Sequence, residues 1–425
     1  MGIDEELRAR PFVRLLVWWM VGIVSHHFCG IGWGVLVVLG VVSLVLLVSQ
    51  VAGGSRWEYG QRWQWGGVYG VLVVLSGLLV SELSEAHSKY TKREANVVMV
   101  VAGASQQRLV EKIDRLNLTD GEKGVLAALT IGYKKAIPKE VRKRFAVSGV
   151  AHILSVSGFH VAVAYSFVSM LLGLLIPGRY TLRVLRWVLM VCGIWIFVMV
   201  SGMAASSIRA GCMLTVYLTG KYMVRRRTDS YNTLSATAFG MLACHPAYLF
   251  DIGFQLSFLS VYFILYLQPA LNRLIEVRNP LLSKPWGWVT VSLAAQAGTA
   301  FLCAYYFGYF SLTFLFTNVP VILYASILIP AALIWLLLPM GEGILQQLVE
   351  VLTHYLVYTA ELFGRVSWSA YPFRMSLVGV IAAYVAMFGI MVAVSIRKGR
   401  QQQQWEIGDV ENLQNRGRRG QCHIA

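Results

Sequence analysis

Apolar runs long enough to cross a membrane recur along the whole chain. They fall near residues 12–28, 31–51, 67–85, 150–176, 184–200, 203–222, 231–246, 251–268, 286–304, 311–338, 346–364 and 372–395. About 20 apolar residues in a helix cover the hydrocarbon layer. The pattern therefore predicts an all-α polytopic membrane protein, a bundle of about 10–12 transmembrane helices. The run at 346–364 is different, because Gln346, Gln347, Glu350, His354 and Glu361 give it a polar side. It is expected on the surface of the bundle or along a cavity. Between the third and fourth runs, Leu109, Val110, Ile113 and Leu116 share one helical face, the mark of amphipathic helices. The partition that follows is 1–85 (three spans), 86–149 (a basic, partly helical segment), 150–396 (a second membrane region) and 397–425 (a polar, Gln-rich, basic and disordered tail).

Composition agrees with the pattern. Apolar residues make up 57% of the 425 and charged residues only 14%, too few to cover a soluble surface. Asp4, Glu5 and Glu6 precede the first run and a second follows at once, which argues against a cleaved signal peptide. The six cysteines stand singly with no CxxC or Cys/His cluster, so no metal site is expected.

The formal charge of +16 adds orientation. With Arg8, Arg10 and Arg14 in the cytoplasm, alternation also puts Arg56, Arg62, Arg179, Arg183 and Arg225–Arg227 inside. Arg273, Arg278, Lys284, Arg397, Lys398 and Arg400 follow, giving a multi-pass plasma-membrane protein with both termini cytoplasmic. The segment 86–149 falls outside with 13 Lys/Arg against 6 Asp/Glu. Within it, "KKAIPKEVRKRF" gathers Lys134, Lys135, Lys139, Arg142, Lys143 and Arg144. Such a rim suits either anionic headgroups or a polyanion.

Four clusters of polar residues interrupt the membrane runs, where they are costly. "AHILSVSGFHVAV" (151–163) spaces His152 from Ser155 and Ser157 from His160 by three residues, on either side of Gly158. "SGMAASSIRAGCML" (201–214) sets Gly202, Ser206 and Arg209 on one stripe beside Ser207. "DIGFQLSFLS" (251–260) opens with Asp251, a natural N-cap, followed one turn later by Gln255. "FTNVPVILY" (316–324) places Asn318 and the helix-kinking Pro320 inside a span. Together they describe broken or kinked helices around a polar interior, either a conduit or a buried active site.

Those four motifs, in that order, resemble the ComEC/Rec2 family of competence proteins. The resemblance implies a polytopic channel for incoming single-stranded DNA in a bacterial inner membrane. His152, Ser155, Ser157, Gly158, His160, Ser206, Ser207, Arg209, Asp251, Gln255 and Asn318 would be its signature positions. No HxHxDH motif of a metallo-β-lactamase-like domain occurs, and 86–149 is too short for a full OB-like domain beside its helices. The resemblance thus implies separate external DNA-binding and nuclease proteins. Without a GxxxxGK[ST] loop, the drive is expected from a cytoplasmic ATP-driven motor, from the membrane gradient or from binding inside the cell. Single-stranded DNA, the lipid bilayer and further copies of the chain complete the expected partners; no cofactor and no catalysis are expected. "YYFGYF" (305–310) suits base stacking or an interfacial aromatic belt. Two rival functions share the residues: a secondary transporter for a small anion, and a hydrolase using Ser155 or Ser157 with His152 or His160. A Ser and a His one turn apart are not expected to reach nucleophile–base geometry.

Overall fold

Helices form at eleven of the twelve apolar runs, and the twelfth, 31–51, lies almost wholly outside the described residues. The computed structural model describes residues 10–29, 40–41, 44–45, 48, 62–90, 97–175, 182–224, 229–275, 277, 279–337, 343–366 and 369–394. The acidic N-terminus and the 397–425 tail fall outside them. The chain opens with α1 (Pro11–Cys29), α2 (Arg62–Tyr90), α3 (Val97–Asp114), α4 (Asp120–Ile131) and α5 (Lys139–Val147). Then come α6 (Gly158–Leu175), α7 (Arg183–Val200), α8 (Ala205–Thr219), α9 (Ser230–Cys244), α10 (Ile252–Asn272) and α11 (Pro280–Tyr306). Last are α12 (Phe314–Leu337), α13 (Ile344–Gly364) and α14 (Leu377–Val394). Short strands β1 (Tyr309–Ser311) and β2 (Ala370–Pro372) pair antiparallel, with Phe310 opposite Tyr371.

Six stretches of the described residues are long and apolar enough to cross a membrane: Gly66–Ala86, Arg183–Val200, Ile252–Asn272, Leu282–Tyr306, Phe314–Leu337 and Leu377–Val394. The chain is an all-α, multi-pass membrane protein. By that measure the spans are fewer than the apolar runs. α9 is one physical reason: it has 15 residues, about 22 Å against a layer of about 30 Å, and its run is itself only 16 long.

Five helices set the plan. α6 packs on α8, α8 on α10, α10 on α11, α11 on α12, and α12 returns to α6. Each of the five thus neighbours the next, and together they form a closed ring. α7 covers α6 and α8 from outside, and α9 with the α1–α2 pair covers α8 and α10. α14 lies against α10 and α11, where the Tyr384 hydroxyl donates to the Gly298 carbonyl at 2.7 Å.

The amphipathic run becomes α13, and its polar side docks the basic segment. Glu350 accepts from the Asn117 N–H at 3.0 Å, His354 meets Glu122 at 2.7 Å, and Glu361 pairs with Arg144 at 2.8 Å. Beneath these contacts Ile113, Leu116 and Phe145 share one core with Leu328, Val349 and Leu356; Leu109 and Val110 pack against it. The face expected from 109–116 is therefore the buried one. Segment 97–149 is fastened to the flank of α12 and α13.

Glu122 also closes a capping box with Thr119 at the start of α4. Burial alone raises its carboxyl. Hydrogen bonds from the Thr119 N–H and hydroxyl and from His354 more than reverse that, holding it below the ordinary value of 4.5. Its contribution is thus complete above that value and is lost as pH falls through its lowered one. Replacement by Gln should cost about 1–2 kcal/mol at neutral pH and flatten the acid limb of stability, read by thermal unfolding from pH 7 to 3.

Two local expectations are corrected. Residues 151–154 form a 3-10 turn and α6 begins at Gly158, so His152 and Ser155 share no α-helical face. Gly202 lies in a turn before α8 with φ of 72°, leaving only Ser206 and Arg209 on the stripe. Pro320 and Pro330 both stand inside α12, as expected of Pro320.

Candidate functional site

Ser157 and His160 are brought together by the start of α6. The Ser157 carbonyl accepts the first helical bond, from the Val161 N–H, which makes Ser157 the N-cap. Its own N–H donates to His160 Nδ1 at 3.1 Å. Histidine here fills the part that glutamate plays in a capping box, reaching back from the third helical position. The Ser157 hydroxyl lies 2.9 Å from the same nitrogen. Because Nδ1 accepts a backbone N–H, the ring proton sits on Nε2. That Nε2 is buried and has no partner among the described residues.

His152 lies exposed in the turn before α6. Ser155 and Ser157 are half-buried beside it and Gly158 is exposed. A Cβ on Gly158 would meet only the Ala210 Cβ, at 3.8 Å, so the glycine faces open space instead of a close-packed backbone.

The second and third motifs join across α8 and α10. Arg209, with its side chain 9% exposed, sends Nε to the Ser257 hydroxyl at 3.2 Å. Its Nη1 lies 3.6 Å from Asp251, which also caps α10 by accepting the Phe254 N–H at 2.7 Å. Gln255 donates to the Leu249 carbonyl and accepts from the Tyr306 hydroxyl at 3.1 Å, linking α10 to the end of α11. Ser206 donates to the Val156 carbonyl, and buried Ser207 receives the Ser201 hydroxyl at 3.4 Å.

The fourth motif closes the circuit. Asn318 donates to Ser292 of α11 at 2.8 Å, leaving its Oδ1 buried and unpartnered among the described residues. Pro320 is half-buried two residues further on. Ser311 donates to the Val147 carbonyl at 3.0 Å, bringing β1 against the end of α5. The first three motifs thus meet at the starts of α6, α8 and α10, with Tyr306 at the end of α11, whereas the fourth joins α12 to the middle of α11, about 21 Å along that helix from Tyr306. Lys134, Lys135, Lys139, Arg142 and Lys143 are exposed on and before α5. Arg144 instead turns toward Glu361 and leaves the rim. Partial burial and the neighbouring Arg142 lower the Lys134 ammonium from its ordinary value.

Residues 129–398 match the model of a family described as competence protein. The chain belongs to the competence protein family. It is 28% identical over 278 residues to ComE operon protein 3 of Bacillus subtilis (strain 168). That alignment covers 64% of this chain and 31% of the relative, so the chain spans about a third of the length of the curated relative that it matches. No solved structure matches. The ring of this competence protein falls entirely inside the matched residues.

Sequence reading missed Ser257, Tyr306 and Ser292, the partners of Arg209, Gln255 and Asn318. Ser257 and Tyr306 stand inside stretches already singled out, "DIGFQLSFLS" and "YYFGYF". Ser292 carries no local signal, being one serine in a span of small residues.

Proposed function

We propose that this chain forms the passage for single-stranded DNA through the bacterial plasma membrane during transformation. One observation carries the reading: a closed ring of five helices in which three signature motifs gather at the starts of α6, α8 and α10, with His152 and Gly158 exposed beside them. In this reading those starts face outward and both termini are cytoplasmic. The five exposed cations of the α5 rim collect the polyanion, His152, Ser155, Ser157, Ser206 and Gln255 line the mouth, and Asn318 stands further along the passage. Conduction needs sites that are numerous and weak. Arg209 suits this because Asp251 and Ser257 already engage it, so it polarises the mouth without holding a phosphate tightly. The same pairing speaks against an anion transporter, which would need the guanidinium available.

The chain supplies no chemistry of its own in this reading. Strand degradation, DNA capture and pulling fall to external nuclease and DNA-binding proteins and to a cytoplasmic motor. The Ser157–His160 contact is a helix cap, and a fluorophosphonate probe should leave Ser157 unlabelled. Deletion of the gene should drop internalisation of labelled DNA to background while duplex still binds the cell surface. Unchanged internalisation would remove the channel role.

A further inference from the structure

The start of α7 and the end of α8 hold a second polar cluster that the four motifs do not include. Arg186 stands in the first turn of α7, and Lys221 in the π-helical turn Gly220–Val224 that closes α8. Trp187, next to Arg186, donates to the Thr219 hydroxyl at 3.3 Å and so holds the start of α7 against the end of α8, and Tyr165 stands midway along α6. Tyr165, Tyr217 and Tyr222 pack with Trp187 around one apolar core, and Lys221 Nζ lies 5.7 Å from the centre of the Tyr222 ring. Single π-turns in otherwise regular helices recur at functional sites.

The charge here is uncompensated. Neither Arg186 nor Lys221 is in an ion pair among the described residues. The flanking stretches 176–183 and 220–228 contain no Asp or Glu at all. Asp229, just beyond, is taken by Arg10 at 3.0 Å. Arg186 Nε is buried without an acceptor among the described residues. A cation in the first turn also opposes the helix dipole, whose positive end favours an anion. Two cations, one of them with this orphaned donor and both beside a helix N-terminus, converge on one requirement, a bound anion.

Phenol hydroxyls and guanidinium donors suit phosphate oxygens. Partly buried tyrosine rings beside them suit bases, whereas a lipid headgroup needs only the cations. We propose that this cluster binds the phosphodiester backbone of a single strand as it leaves the ring. Arg186 and Lys221 contact phosphates, and Tyr165, Tyr217 and Tyr222 supply hydroxyls and stacking faces. The proposal rests on the DNA-passage reading and adds a site at the far end of the same helices.

The test uses the full chain in nanodiscs and a fluorescent oligothymidylate, with affinity followed by anisotropy across a salt series. In zwitterionic lipid, Lys221→Gln should lower the slope of log K against log salt by about 0.7, and R186Q/K221Q by about 1.4. Affinity of the double variant should fall about tenfold. Lys221 is exposed, so its single variant keeps the proposal testable if the double variant misfolds. The same decrement should persist when Lys139, Arg142 and Lys143 are changed to Gln, which separates this site from the rim. If the wild-type chain binds no oligonucleotide, this site and the passage reading both fail. If it binds but neither variant changes the slope, this site alone fails. A decrement confined to discs of anionic lipid would assign the cations to headgroups and overturn the proposal.

Discussion

Asp251→Ala should abolish DNA internalisation and destabilise the membrane domain by about 3 kcal/mol, whereas Asp251→Asn should cost distinctly less. Two separate jobs meet in that side chain. As N-cap of α10 it accepts the Phe254 N–H, and losing such a cap costs about 1 kcal/mol. It is also the counter-charge of Arg209, whose side chain is 9% exposed against 51% for Asp251. Leaving a buried charge unpaired costs about 3–5 kcal/mol, and the exposure of Asp251 reduces this to about 2. Asparagine caps as well as aspartate, so Asp251→Asn removes only the second share. Thermal unfolding in detergent of the wild type and both variants should give that order. Equal stability of all three would show that the α8–α10 latch is not structural.

Gly158→Trp should assemble normally and cut internalisation at least about tenfold. Gly158 is exposed at the first position of α6, and the nearest atom to an added Cβ is the Ala210 Cβ at 3.8 Å. Alanine there meets no obstacle and improves helix propensity by up to about 1 kcal/mol. Gly158→Ala should therefore keep uptake and raise stability slightly. Tryptophan projects a large ring between α6 and α8, where the mouth motifs meet. Membrane abundance by immunoblot and labelled-DNA uptake separate blockage from misfolding. Normal uptake with the tryptophan in place would show that Gly158 does not face the passage.

Where the sequence was legible, the signal was local. Apolar runs marked the helices, and Asp251 followed by an apolar stretch marked a cap that forms as expected. The polar side of 346–364 marked an amphipathic helix, but its partners Asn117, Glu122 and Arg144 lie more than 200 residues away. The His–Ser spacing at 151–160 was misassigned to one continuous helix. Regular spacing cannot distinguish a helical face from a cap that ends a 3-10 turn, and both place polar groups three apart. Arg209 was identifiable as a costly charge in a span, whereas its pairing with Asp251 depends on α8 packing against α10. The ring itself left no trace in the sequence, because closure depends on α12 returning to α6.

Cysteine accessibility tests the ring most directly. In a background free of the native cysteines, His152→Cys and Gly158→Cys should react from outside with a membrane-impermeant maleimide, and bound single strands should slow both. Ile196, exposed on the flank of α7, is the lipid-facing control and should stay unreactive as cysteine. Failure of both mouth positions to react in a correctly inserted protein, or reaction at all three sites alike, would contradict a water-filled opening within the five-helix circuit.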